Sequence, residues 1–324
     1  MWDLERKNPA LLLPGMTVHF EDVTHSPITV NIPQQIIRTA EPKQSMPLFK
    51  ITAPSLQMLI QDEGRLNQTN IGVGVAGAMD LSAMHSANRI VGNPTNTPVI
   101  EVLNGGLKAK MQHAGVIAVA GAISNIRVKF ADGQTADFAS YQPIDLDEGD
   151  EFQIQPPTAG LRNYLAVRGG IDVEPVLNSA SFDSLAVLGP EPLKLRDTIY
   201  QGQVKATNIS VNEVGKSDLP RAGEVVELDI VMGPRTNWFE QDSIDLLCQQ
   251  EWLVTNESNR VGLRLSGAQS LTRKITHELE SDGTCIGALQ IPPSGQPVLF
   301  MNDHPLTGGY PVIGSVAKHH WDLV

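Results

Sequence analysis

Several short stretches of this chain set charged or hydrogen-bonding side chains beside glycine, the arrangement that anion-binding turns use. Gln61-Asp62-Glu63-Gly64-Arg65 puts two acids and a guanidinium at the end of a strand-like run. The planar fork of Arg65 matches two oxygens of a carboxylate or phosphate. The competing reading is a structural arginine that bridges Asp62 or a turn carbonyl. Arg168-Gly169-Gly170 follows the apolar run Tyr164 to Val167 and is either an anion nest or a tight turn with a glycine at positive φ. In Asn259-Arg260-Val261-Gly262-Leu263-Arg264-Leu265 the two arginines stand four apart. On a strand they share a face and converge on a phosphate or dicarboxylate, unless the stretch is an ordinary amphipathic strand. Gly287 to Pro293 carries Gln290, and Asp303-His304-Pro305-Leu306-Thr307-Gly308-Gly309-Tyr310-Pro311 crowds an acid, an imidazole, a hydroxyl and two glycines together. That crowding makes the C-terminal third the richest place to look for a site.

Standard catalytic signatures are absent from the sequence: there is no G-x-x-x-x-G-K-[ST] loop, no H-E-x-x-H and no G-x-S-x-G. The eight histidines form no pair at helical metal-ligand spacing, and His319-His320 reads as a solvated tail. No metal ligand set is expected. Cys248 and Cys285 are the only cysteines and make no C-x-x-C pair, which argues against a disulfide framework and for a reducing cytoplasm. The apolar run Ala10 to Leu13 is too short for a signal-peptide core, and no stretch approaches the ~20 apolar residues of a membrane span.

The elements that would position these groups are mostly strands. Gly 28 and Pro 22 recur along the 324 residues, as in chains of many short strands joined by turns. Leu48 to Ile51 opens a strand. Ile126, Val128 and Phe130 alternate with Arg127 and Lys129 before an Asp132-Gly133 turn and a return run Thr135 to Phe138, a hairpin signature. Val225 to Val231 and Pro297 to Met301 add β-rich stretches. Asp80 caps a helix whose Leu81, Met84, Ala87, Ile90 and Val91 recur at helical spacing until Gly92 stops it. A second helix is expected from near Asn237, with Phe239, Ile244, Leu247 and Cys248 on one face. Few helices in a β-rich chain argue against alternating βαβ units. The length allows about two domains, with the polar stretch Asn212 to Gly223 as the boundary and the Pro-containing stretch Thr24 to Ser45 as a linker. A net charge of −12, from Lys+Arg 24 against Asp+Glu 36, lacks the basic footprint of a nucleic-acid binder.

Taken in order, Gln61-Asp-Glu-Gly-Arg65, Gly77-Ala-Met-Asp80, Ala87-Asn-Arg-Ile-Val-Gly-Asn-Pro94, Glu101, Ala166-Val-Arg-Gly-Gly170, Val231-Met-Gly-Pro234 with Trp238-Phe239, Arg260 with Gly262-Leu-Arg-Leu265, Gly287-Ala-Leu-Gln-Ile-Pro292 and Thr307-Gly-Gly-Tyr-Pro311 resemble the KipA or PxpC family. That family supplies the C subunit of the bacterial ATP-dependent 5-oxoprolinase. It is also described as allophanate hydrolase subunit 2, or as the biotin-dependent carboxyltransferase domain of urea amidolyase. The resemblance runs from Met46 to the C-terminus. In front of it, Trp2 to Gly15 with Val18 and Phe20 is similar to the last strand region of the KipI or PxpB family, which supplies the B subunit of the same enzyme. The expected organisation is therefore a B-subunit remnant over 1–24, a linker over 25–45, and two β-barrel subdomains over 46–222 and 223–324. The first 45 residues are expected either to be poorly ordered or to add a strand to a sheet edge.

The resemblance implies a mainly β fold of two cyclophilin-like β-barrel subdomains with few helices. It implies work in a complex: a KipI/PxpB-like B subunit and this chain use ATP and Mg²⁺, held by the complex, to phosphorylate 5-oxoproline. The LamB/YcsF-like A subunit then takes the activated lactam to glutamate. On that picture Arg65, Arg168, Arg260 and Arg264 bind phosphate or carboxylate, and Asp80, Glu101 and Asp303 serve a metal or a proton transfer. Gly169, Gly170, Gln290, Thr307, Gly308, Gly309 and Tyr310 complete the substrate-binding set. The chain departs from the family pattern where Leu177-Asn178-Ser179-Ala180-Ser181-Phe182 lacks an Arg, where Gly189-Pro-Glu-Pro-Leu-Lys-Leu-Arg-Asp197 stands for Gly-Arg-x-Leu-x-x-Gly-Asp without the Arg after the first Gly or the second Gly, and where Ser281-Asp282-Gly283 replaces Ser-Glu-Gly. Competing expectations are a non-catalytic regulatory partner of a KipI-like kinase inhibitor, a carboxyltransferase acting on carboxybiotin and urea, and a decayed fragment.

Overall fold

The computed structural model describes residues 11–13, 15–22 and 45–323. The stretch that resembles the B subunit falls largely outside the described residues, as does nearly all of the linker. Strands β1 (Pro47–Ala53) and β2 (Met58–Gln61) precede helix α1 (Leu81–Ile90). There follow β3 (Val99–Leu103), β4 (Lys108–Met111), β5 (Gly115–Ile123), β6 (Asn125–Lys129), β7 (Thr135–Ala139), β8 (Ile144–Leu146), β9 (Glu151–Ile154), β10 (Ala159–Val167) and β11 (Thr198–Tyr200). After residue 200 come β12 (Ile230–Met232), α2 (Gln241–Gln249), β13 (Leu253–Val254), β14 (Gly262–Ser266), β15 (Asp282–Gly283), β16 (Ala288–Gln290), β17 (Val298–Phe300), β18 (Thr307–Gly308) and β19 (Val312–Val316). The mainly β character with few helices is as expected.

The strands up to β11 form two antiparallel sheets, ordered β11-β1-β4-β9-β6-β7 and β2-β3-β10-β5-β8. Successive strand side chains alternate faces, and the second sheet is apolar on both. Ile100, Val102, Ile117, Val119, Leu165 and Val167 pack with Phe49, Ile51, Val128 and Phe152 of the first sheet. Their neighbours Val99, Ala118, Ala120, Tyr164 and Ala166 face Met84, Ala87 and Ile90 of α1. This double burial explains why Tyr164 to Val167 is an unbroken apolar run. The small alanines on both partners let the helix lie close to the sheet. Asp80 caps α1 by accepting from the Ala83 N–H at 2.8 Å, and Gly92, at φ 76°, ends it. The Asp132-Gly133 hairpin forms as β6 and β7.

Of the remaining strands, six build a third sheet, ordered β12-β19-β16-β17-β14-β13, around Trp238, Phe239, Leu247, Leu289, Leu299 and Ile313, and β15 pairs with β18 in a separate two-stranded sheet. Two expectations need correction here. The strand near 230 covers only Ile230–Met232, because Val225 to Asp229 have no partner strand among the described residues. The helix near Asn237 is a 3-10 turn, Thr236–Trp238, followed by α2. Phe239 is buried outside that helix, and Cys248 is exposed rather than on the packed face.

Met79, from the segment entering α1, is buried in the third-sheet core and ties it to the first two sheets. Trp238 belongs to that core, and Trp252 and Trp321 pack against it, so tryptophan emission reports its unfolding. Met79→Ala is expected to lower stability by about 2–5 kcal/mol, read as a shift of the fluorescence midpoint in urea. An unchanged midpoint would show that Met79 contributes nothing to the contact.

Candidate functional site

Three of the groups singled out in the sequence meet in one buried cluster. Arg260 lies in the bend before β14, Glu101 on β3 and Asp303 just after β17; all three are 2–3% exposed. Arg260 makes a two-pronged pair with Asp303, Nε to Oδ2 and Nη2 to Oδ1, each 2.9 Å. Its Nη1 donates to Glu101 Oε1 at 2.5 Å and its Nη2 to the Gly77 carbonyl at 2.6 Å. Glu101 Oε2 accepts from the Met79 N–H at 2.9 Å and from the Tyr164 hydroxyl at 3.0 Å. Asp303 Oδ2 also accepts from the Ser184 N–H and hydroxyl at 2.9 and 2.6 Å. Burial by itself would lower the Arg260 pKa, but the charges of Glu101 and Asp303 more than reverse this and push it above the ordinary value.

Asp80 is likewise engaged. Its Oδ1 accepts from Ala83 N and Ser82 Oγ, its Oδ2 pairs with Lys216 at 3.1 Å, and Lys216 pairs in turn with Asp322 at 3.2 Å. The carboxylates expected to serve Mg²⁺ or a proton transfer therefore do not fit a magnesium site. Glu101 and Asp303 already hold a guanidinium, and Asp80 caps a helix and pairs with a lysine. Hard cations need oxygens that are free to coordinate.

Arg65 behaves differently. It is 1% exposed, and its Nη2 donates to the Ser181 carbonyl at 2.5 Å, while Nε and Nη1 have no hydrogen-bond partner among the described residues. Burial lowers its pKa against the pull of Asp183, Asp62 and Asp303. Gln61, also fully buried, donates from Nε2 to the Phe182 carbonyl at 2.9 Å and leaves Oε1 unpartnered. Buried donors and acceptors are normally satisfied, so each of these atoms has hydrogen-bonding capacity that no described residue takes up. Asp62 does not pair with Arg65. It organises the facing turn by accepting from Ser179 Oγ at 2.6 Å, Ser181 Oγ at 2.6 Å and Ala180 N at 2.7 Å. Over Arg65 runs the 183–189 loop, closed by the Asp183–Leu188 bridge and tied to Asp303 through Ser184. At its tip Val187 holds φ 54°, a strained value for a β-branched residue. Leu185 and Val187 are exposed there.

The other expected residues divide between structural and surface positions. Arg168 donates from Nη1 to the Val91 carbonyl at 2.8 Å, where a cation offsets the negative C-terminal end of α1. Gly169 and Gly170 form a tight turn at φ 84° and 77°, and the Gly169 N–H donates to Asn93 Oδ1. The nest reading of Arg168 gives way to a turn fastened to a helix. Arg260 and Arg264 do not converge: the strand starts at Gly262, so Arg260 turns into the core and Arg264 is left exposed. Gln290 is buried beside Gly308 and donates to the Tyr310 carbonyl at 3.2 Å, whereas Thr307, Gly309 and Tyr310 are exposed on or beside the short β15–β18 pair. The sequence reading missed Tyr164, Ser184 and Lys216 as partners of its acids. Hydroxyl and ammonium groups 60 to 140 residues away in the chain give no local signal. The loop over Arg65 was missed for the same reason.

Arg260→Met would strip Asp303 of its paired guanidinium and leave Glu101 only Arg162, whose Nε stands 3.5 Å from Oε1, so stability is expected to fall by about 3–5 kcal/mol in chemical denaturation. Adding Glu101→Gln should restore part of the loss; no restoration would mean that Glu101 is not the stranded charge. At Asp80, burial raises the carboxyl above its ordinary range, Asp322 adds to this and Lys216 opposes it. The folded state thus holds this proton more tightly than the unfolded chain. That stability is complete below the unfolded value and is lost as pH rises through the folded one. Asp80→Asn keeps an acceptor for the Ala83 N–H but removes the titration. The wild-type chain should accordingly lose stability relative to Asp80→Asn as pH rises from the ordinary carboxylate range upward, and parallel stability–pH curves would refute the assignment.

Residues 71–324 match the family described as carboxyltransferase domain, subdomain A and B. The chain is 33% identical over 272 residues to the C subunit of 5-oxoprolinase from Escherichia coli, covering 84% of this chain and 85% of the relative. It is 31% identical over 259 residues to the C subunit of the Haemophilus influenzae 5-oxoprolinase, covering 79% and 80%. Urea amidolyase of Saccharomyces cerevisiae is 30% identical over 81% of this chain, which spans only 15% of that relative. Among solved structures, Kluyveromyces lactis urea amidolyase superposes with a TM-score of 0.76 at 26% identity over 88% of this chain and 18% of its own. The chain belongs to the carboxyltransferase-domain family that contains the C subunit of 5-oxoprolinase.

Proposed function

We propose that this chain is the C subunit of an ATP-dependent 5-oxoprolinase, acting with a KipI/PxpB-like B subunit to phosphorylate 5-oxoproline before a LamB/YcsF-like A subunit opens the ring to glutamate. The supporting observation is that the alignment with the Escherichia coli C subunit covers 84% of this chain and 85% of that relative. The site adds chemistry consistent with that substrate. Arg65 has two buried nitrogens without hydrogen-bond partners among the described residues, and a carboxylate offers two oxygens to such a fork. Gln61 Oε1, also unpartnered, can accept an amide N–H such as that of a lactam. Gly189, at the end of the 183–189 loop, lies against Arg65 Nη2, so on this reading a substrate reaches Arg65 past that loop, whose tip holds the strained Val187 and the exposed Leu185. ATP and Mg²⁺ would be supplied and held in the assembled complex, while Asp80, Glu101 and Asp303 stay engaged in their ion pairs. A carboxyltransferase role in urea chemistry is the second reading, favoured by the urea amidolyase alignment. It requires the much larger remainder of such a protein.

The test mixes this chain with the A and B subunits, ATP, Mg²⁺ and 5-oxoproline and measures glutamate. Glutamate formation that depends on this chain is expected. Glutamate no higher than in a control lacking the chain, despite a stable complex with the B subunit, would favour the regulatory alternative. Arg65→Met in the active complex should weaken use of 5-oxoproline by about tenfold to a hundredfold, the value of a hydrogen-bonded charge contact. The loss should fall on KM, with the complex intact by size exclusion.

A further inference from the structure

The C-terminal 3-10 helix, Lys318–Leu323, carries a cluster that neither the family assignment nor the proposed site uses. Asp229, His319 and His320 each place one ligand-capable atom within 4.8 Å of the other two. His319 Nε2 stands 2.9 Å from Asp229 Oδ2. His320 Nδ1 accepts from the Asp229 backbone N–H at 2.9 Å, which holds the ring beside Asp229; its lone pair becomes available to a metal only when that hydrogen bond is given up. An unprotonated imidazole nitrogen is the form a metal requires.

The donors are held by structure on both sides. The Ala317 N–H donates to the Asp229 carbonyl at 2.8 Å, and beyond it β12 pairs with β19, Ile230 opposite Val316. On the other flank Trp321 packs on the third-sheet core and donates from Nε1 to the Val316 carbonyl at 3.0 Å, while Asp322 pairs with Lys216. The two histidines are therefore fixed against the start of β12 by contacts that do not depend on their own side chains. Tetrahedral donors about 2.0–2.2 Å from an ion stand roughly 3.3–3.6 Å from one another. A small widening of the 2.9 Å His319–Asp229 gap meets that requirement. Two imidazoles and one carboxylate suit a borderline divalent cation such as Zn²⁺ more than the hard Mg²⁺.

We propose that Asp229, His319 and His320 form a surface site for a divalent transition metal of the Zn²⁺ type, with three protein ligands and a fourth position open to water. Binding exchanges the contacts of His319 and His320 with Asp229 for coordinate bonds and staples the C-terminal helix to β12. The sequence hides the site because the third ligand lies 90 residues from the histidine pair.

The experiment titrates tag-free, chelator-treated full-length protein with Zn²⁺ by calorimetry. One saturable equivalent is expected, weakened by at least about tenfold in His319→Ala and in Asp229→Ala. A rise in Tm with Zn²⁺ should occur in the wild type and vanish in the variants. Absence of a saturable equivalent, or equal affinity in a His319→Ala/His320→Ala variant, overturns the proposal. Because a variant could also disturb the helix, ¹⁵N-detected histidine spectra of the unmodified protein provide a second reading. Zn²⁺ must shift the His319 and His320 ring resonances first, and a response confined to other histidines also overturns it.

Discussion

A guanidinium removed from water needs opposite charge and full hydrogen bonding around it, or folding stalls on its desolvation. Arg260 meets that requirement with groups drawn from three distant parts of the chain: Glu101 on β3, Asp303 after β17 and the Gly77 carbonyl. The arginine comes from the third-sheet side and Glu101 from the first two sheets, so the pair can form only when the assemblies meet in one arrangement. Good geometry alone does not make a buried ion pair strongly stabilising, because the desolvation of three charges offsets much of the attraction. What the cluster does favour is the one docking of the sheets that matches Arg260 with Glu101 and Asp303.

The remaining features near the cluster follow from it. Met79 donates its N–H to Glu101 and sends its side chain into the third-sheet core, so one short segment serves both the polar and the apolar contact. Tyr164 joins Glu101 to the backbone of Asp80 and hence to the start of α1. On the other side Asp303 fixes Ser184 and with it the loop that covers Arg65. The carboxylates around Arg65 are all engaged elsewhere, Asp303 by Arg260, Asp62 by Ser179, Ser181 and Ala180, and Asp183 by the Leu185 and Ala186 N–H groups, so Nε and Nη1 of Arg65 have no partner among the described residues. An arginine satisfied on every side holds the structure, while one left partly unsatisfied under a strained loop is the better candidate for recognition.

Much of the fold was legible in the chain. The capped helix α1, the Asp132-Gly133 hairpin and strands β1, β10 and β17 carry local signals, a cap, a turn dipeptide or a strand period, and each forms near where it was expected. The stretch Val225 to Asp229 shows the limit. Its composition is strand-like, but a strand exists only where a neighbour supplies hydrogen bonds, and here only Ile230–Met232 meets β19. The site was legible as a set of residue types and less so as roles. Arg65, Arg168, Arg260 and Arg264 look alike in sequence, each near glycine, yet they become a partly open donor, a helix-end clamp, a buried latch and a surface side chain.

The amino-acid sequence by itself determined the β-rich class, the α1 cap, the turns and the family, because these depend on neighbours within a few residues or on an ordered set of motifs. Only the tertiary structure decided which acid faces which cation. Glu101 and Arg260 lie 159 residues apart, Asp229 and His319 lie 90 apart, and Ser184 reaches Asp303 across 119. Pairing at such separations is set by how the sheets pack and which groups that packing removes from water. No window along the chain contains both partners.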